Sequence, residues 1–271
     1  MKLCSRGAVS LIVELVSIGN ELLIGRTVNT NASWLADRVT RLGGVVKRIT
    51  VVGDNLDEIS SSLREASSRG AELVITTGGL GPTPDDMTME GVARALGVET
   101  ELNQEALRML EERVGRHVEA PQVKKMAYLP RGAKPLYNPV GAAPGAMVKL
   151  GSTLITVLPG VPAEMKAMFE VHVEPLLRER VKEAFYQAEA TITGIYEATL
   201  APYIEEAMRR YPKVYIKSHP RLEEGLSVIQ LHVACRAANL NEAKAMVEGA
   251  LNWLLEQAKA RGANVDRVEF P

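Results

Sequence analysis

Cysteine is nearly missing from this chain. Cys4 and Cys235 are the only two, which excludes a disulfide framework and a zinc pattern of spaced thiols and suits a reducing compartment. Aromatic residues make up 4%, so the core must be assembled from Val, Leu, Ile, Ala and Met. No apolar run reaches the length of a membrane span. The opening Met1–Val16 is interrupted by Glu14 and reads as a short tail entering a strand, not as a signal peptide. A cytoplasmic location with no membrane partner is therefore expected. The net charge of −1 gives no polyanion-seeking surface, so no nucleic-acid partner is expected. There is no Gly-Lys-Ser/Thr phosphate loop, no G-x-G-x-x-G fingerprint and no G-x-S-x-G elbow. His117, His172, His219 and His232 lie too far apart for metal-ligand spacing and read as surface or packing residues.

What is present is a 271-residue chain, long enough for about two domains and for burying roughly 70–75% of its unfolded surface. Leu11–Ile18 is a β-branched apolar run, as expected of a strand covered on both faces. A loop rich in side-chain amides follows. Thr30 or Asn31 can cap the next helix, whose inner face would use Trp34, Leu35, Val39 and Leu42. Val45–Val52 reads as a strand. Asp54 or Asn55 then caps a helix bearing Leu56, Ile59, Leu63 and Ala66, and Leu73–Thr77 is a third strand. This alternation predicts an α/β fold, a mostly parallel sheet flanked by helices. Further on, Asn103 starts a helix, and Ala146–Leu150 and Thr153–Leu158 read as a hairpin around Gly151-Ser152. Met165, Met168 and Phe169 point inward from a helix that Pro175 must bend or restart. Beyond about residue 183 the order β-α-β-β-α predicts a second, small α+β domain. Its first helix, Glu197–Arg210, would carry Leu200, Ile204 and Met208 as its inner stripe. The expected domains are 10–182 and 184–271.

The third strand delivers the most informative stretch. Gly78, Gly79 and Gly81 allow a close backbone approach to a ligand, and a helix start nearby leaves amides free for an anion. Pro82, Thr83, Asp85, Asp86 and Thr88 complete the loop. Two carboxylates beside a phosphate-seeking backbone suggest a bound cation, an acid/base role, or both. The blander alternative is a glycine turn with Asp86 capping the helix. Strand ends in a parallel sheet share one edge. Glu21, Asn29, Asn31, Gly78–Asp86, Asn138–Gly145 and Gly160 are therefore expected around one cleft. Lys125, read alone, is a solvated surface lysine.

Five motifs in one order resemble the competence/damage-inducible protein A (CinA) family: Ser17–Gly25 with Asn29–Asn31, Gly78–Thr88, Lys125–Ala127, Asn138–Gly145 and Leu158–Met165. They cover roughly residues 11–180. The resemblance implies a MoaB/MogA-like molybdopterin-binding α/β domain followed by a small KH-type domain, and a homodimer. It implies a nucleotide-sugar diphosphate ligand and a divalent metal such as Mg²⁺, with ADP-ribose pyrophosphatase activity. It also implies that the C-terminal nicotinamide mononucleotide deamidase domain of bacterial relatives, and its activity, are missing.

On that reading, Asp86 holds the metal, with Asp85 or Glu21, and the general base lies among these same three. Glycine-loop amides and Lys125 hold the diphosphate. Asn29 and Asn31 contact ribose or base. Gly19, Asn20, Gly141, Pro144, Gly145 and Pro162 are the remaining ligand-binding candidates. Asn20 stands where many relatives have Asp or Thr. Leu80 stands where pterin-handling cousins have Thr, which turns the reading from pterin toward a nucleotide diphosphate. The alternative function is molybdopterin or nucleotide binding without hydrolysis. An RNA role is weaker, because no G-x-x-G clamp occurs between Glu197 and Val214.

Overall fold

The computed structural model describes residues 11–223 and 226–269. The expected opening tail, with Cys4, lies outside the described residues. Two compact units divide the described chain, one spanning Leu11–Arg180 and one beginning at Val181.

In the first unit the elements are β1 Ile12–Ile18, α1 Asn20–Leu23, α2 Thr30–Arg41, β2 Val45–Val52, α3 Leu56–Ser68 and β3 Leu73–Thr77. There follow α4 Thr88–Leu96, β4 Thr100–Leu102, α5 Gln104–Val114, α6 Pro121–Lys124, β5 Tyr128–Pro130 and β6 Lys134–Leu136. The unit closes with β7 Gly145–Leu150, β8 Thr153–Leu158, α7 Pro162–Met168 and α8 Glu174–Arg180. The six-stranded sheet runs β2-β1-β3-β8-β7-β6. The first four strands are parallel, and β7 and β6 are antiparallel to their neighbours. This is the expected α/β architecture. β1, β3 and β8 read as continuous apolar runs because they sit at its centre, buried on both faces. The one charged residue of these three strands is Glu14, 3% exposed on β1, which Arg69 clasps with two nitrogens at 3.0 and 2.7 Å.

Asparagine starts several helices. Asn29 caps α2 through Ala32 N, which corrects the expectation that Thr30 or Asn31 does so. Asn55 caps α3 and Asn103 caps α5. On α2, Ala32, Leu35 and Val39 are buried, while Trp34 and Leu42 are half-buried. A π-helical stretch, Phe169–Val173, joins α7 to α8. Pro175 lacks an amide and its ring crowds the carbonyl four residues back, at Val171 inside that stretch, so the widened turn falls where the proline requires it. Met165, Met168 and Phe169 are fully buried.

The second unit contains β9 Ala184–Thr193, α9 Glu197–Arg210, β10 Val214–Glu223, β11 Leu226–Ala237, α10 Leu240–Lys259 and β12 Asn264–Glu269. Its four-stranded sheet, β10-β11-β9-β12, is antiparallel throughout. β12 was not anticipated. With it the order becomes β-α-β-β-α-β, that of a ferredoxin-like split β-α-β unit. The inner stripe of α9 is also corrected: Leu200 and Ala207 are buried, whereas Met208 is 39% exposed. Among the described residues no helix is long and apolar enough to cross a membrane.

Candidate functional site

The C-terminal ends of three neighbouring parallel strands meet at one edge of the first unit. In register, Ser17 of β1 faces Thr77 of β3, and Thr77 faces Leu158 of β8. The chain leaves these strands through Gly19, Gly78 and Gly160. A Cβ on Gly78, whose φ is 105°, would lie 2.1 Å from the Ile18 carbonyl oxygen, so the backbones touch and only glycine fits. Between the emerging loops lies a cleft of about 470 Å³, and a recess of about 100 Å³ opens beside it. Ile18, Glu21, Gly78 and Gly160 line both.

The loop from Gly78 to Thr88 is held from within. The buried Thr88 hydroxyl donates to the Gly78 carbonyl at 2.8 Å, and the Thr88 amide donates to Gly79 O. Asp86 does not cap α4; Met87 occupies the cap position and no side chain serves it. The Asp86 carboxylate instead accepts the Thr83 amide at 2.9 Å and the Thr83 hydroxyl. Thr83 is also the largest influence on Asp85, whose carboxyl lies below its ordinary value, with its own backbone amide and the Lys125 ammonium adding to the effect against slight desolvation. The ammonium of Lys125 is spent on the loop: it donates to the carbonyls of Thr83 at 2.9 Å and Asp86 at 2.6 Å. It belongs to a separate small recess with Pro144, not to the cleft wall. By contrast, the amides of Gly79, Leu80 and Gly81 have no protein acceptor among the described residues. All three residues line the cleft.

The asparagines divide by role. The Asn20 amide donates to Asp54 Oδ2 at 2.9 Å and the Asp54 amide donates to Asn20 Oδ1, tying the first loop to the end of β2. Asn29 bonds Ser17 at 2.9 Å while capping α2. Asn31 Nδ2 donates to Gly160 O at 2.7 Å, which holds the α2 start against the end of β8. Asn138 is 2% exposed and saturated: Oδ1 accepts from Val140 N and Gly141 N, and Nδ2 donates to Ala143 O and Glu164 Oε2. Gly145 begins β7 against β8, and Pro162 is the first residue of α7.

Residues 14–179 match the family described as "Probable molybdopterin binding domain". The chain belongs to this family. Every residue lining the cleft falls inside the matched span. A protein of Pyrobaculum calidifontis is 46% identical over 254 residues, covering 92% of this chain and 97% of its own. One of Aeropyrum pernix is 46% identical over 260 residues, covering 94% and 96%. A solved structure titled as the protein CinA with unknown function, from Thermoplasma acidophilum, is 41% identical with a TM-score of 0.58, over 61% of this chain and 98% of its own. The likeness to CinA implied by the motifs therefore holds for a solved relative.

The cleft is acidic: Glu21, Asp54, Asp85, Asp86 and Glu164 line it, and among the described residues no Lys, Arg or His does. Two of these carboxylates went unrecognised in the sequence. Asp54 looked like a helix cap, a role Asn55 takes. Glu164 lay inside the fifth motif, but nothing local marked it, because its partner Asn138 is 26 residues away. Among the described residues no three His, Cys, Asp or Glu gather closely enough to hold a metal ion alone.

Proposed function

We propose that the cleft takes a nucleotide diphosphate of the ADP-ribose class together with a divalent cation, and hydrolyses the diphosphate. One observation carries this: among the described residues, three consecutive amides, Gly79–Gly81, stand without acceptors beside carboxylates in a cleft that no basic side chain lines. Amides of this kind receive phosphate oxygens. Carboxylates there repel a bare diphosphate, so the anion and its cation must enter together. Asp86, with one oxygen engaged by Thr83, keeps the other for the cation. When bound, a divalent ion neutralises phosphate charge and lowers the pKa of a coordinated water. Asp85, exposed and held in its charged form, and Glu21, at the start of the first loop, are the groups able to accept the proton of the attacking water. Water then adds to one phosphorus, the bridging P–O bond breaks, and two monophosphates and a proton leave.

The family name favours a second reading, in which the same cleft binds molybdopterin or its adenylylated form without turnover. Chromatographic detection of AMP from ADP-ribose, with Mg²⁺ and then with EDTA, decides between them. Cation-dependent AMP release supports the hydrolase. Retained, uncleaved ligand in wild type, with tighter binding of adenylylated molybdopterin, overturns it.

A further inference from the structure

Glu164 is fixed in a way that plain surface carboxylates are not. It sits in the first turn of α7 and lines the cleft. Asn138 Nδ2, buried and already bonded to Ala143 O, donates to Glu164 Oε2 at 2.8 Å. The carboxylate lies so close over Gly141 that a Cβ there would fall 2.1 Å from Oε2. One carboxylate oxygen is thus locked by a buried amide and a glycine backbone. Oε1 has no protein donor among the described residues.

Charge decides what that oxygen can receive. A bare phosphate is repelled there, and the free amides lie on the Gly79–Gly81 loop. Apolar residues Ala142, Ala143, Pro159 and Val161 line the same cleft. A fixed carboxylate among methyl groups matches one face of a sugar ring, whose C–H groups pack while its hydroxyls donate. An acidic side chain serves ribose hydroxyls in this manner in dinucleotide-binding folds. We propose that Glu164 accepts hydrogen bonds from the ribose diol of a nucleotide, with Asn138 as its positioning residue. This places the sugar on the α7 side of the cleft and the phosphates on the glycine loop.

The inference rests on the cleft taking a nucleotide, and it is indifferent to whether the diphosphate is cut. Calorimetric titration of AMP and 2′,3′-dideoxy-AMP, each with Mg²⁺, tests it without disturbing the protein. Wild type should bind AMP about 10-fold or more tightly than the dideoxy form, as hydrogen bonds to a charged acceptor predict. In Glu164→Gln, checked for an unchanged melting temperature, that preference should collapse. Equal binding of the two nucleotides to wild type, or a preference that survives in Glu164→Gln, overturns the assignment. Failure of wild type to bind either nucleotide removes the nucleotide reading and this inference together. AMP binding without ADP-ribose cleavage removes only the hydrolase.

Discussion

Asp86 accepts two hydrogen bonds from one residue: the Thr83 amide, at 2.9 Å, and the Thr83 hydroxyl both reach its Oδ2. The loop closes on itself and leaves the second carboxylate oxygen uncommitted. On the proposed hydrolase reading, Asp86→Ala should lose both the turn and the cation contact, and cation-dependent hydrolysis should fall about 100-fold or more. Thr83→Val keeps the amide bond and removes only the hydroxyl, so its loss should be closer to 10-fold, with the cation requirement intact. Initial rates against Mg²⁺ concentration check both. Full activity in Asp86→Ala would remove it from the site.

Glu14 and Arg69 make a second commitment, this one structural. Glu14 is 4% exposed in its side chain and its bidentate partner 30%. The hydrogen bond to Glu14, chiefly, raises the Arg69 guanidinium above its already high value. Glu14→Ala leaves Arg69 only its exposed partner Glu65 and should cost about 1–3 kcal/mol, whereas Glu14→Leu with Arg69→Met should recover most of it. Urea unfolding measures both. A double variant as unstable as the single one would refute this account.

Acid should weaken α8. Burial pushes the Glu174 carboxyl up, but the guanidiniums of Arg178 and Arg38 outweigh it and leave the group below its ordinary value. A lowered folded value means the stabilisation is complete above the unfolded carboxyl value and is lost as pH falls through the folded one. Wild type should exceed Glu174→Gln by about 1–3 kcal/mol near neutrality. The two should converge in acid, below the ordinary carboxylate range. Melting curves across pH test this, and a difference that persists in acid contradicts it.

How far the sequence was legible depends on the range of the forces involved. β1 and β3 could be read because burial is continuous along them, and α3 because its buried residues recur with the helical period. β4, β5 and β6 are three-residue strands, too short for alternation to register. β12 was missed because most of it is exposed. The ligand-type loops were visible as glycine and asparagine clusters, but each asparagine's partner was not. Asn29 turned to Ser17, Asn31 to Gly160, and Asn138 to Glu164. Lys125 looked like a free cation until its carbonyl partners, about forty residues away in sequence, were in place.

At Leu80 a family comparison of single letters and the residue's burial point different ways. Its position suggested a residue that turns the cleft away from pterins. The side chain is 7% exposed and packs in the core with Ile18, Val16 and Met89. Leu80→Thr would place a hydroxyl among apolar side chains, and an unsatisfied buried polar group costs about 1–3 kcal/mol. The loop amides would be unchanged. Leu80→Thr should therefore lower the melting temperature while leaving the ratio of affinities for ADP-ribose and a pterin phosphate within about 3-fold of wild type, a shift under roughly 1 kcal/mol. Calorimetric melting and paired binding titrations give the two numbers. A tenfold swing toward the pterin at unchanged stability would return Leu80 to the role its position first suggested.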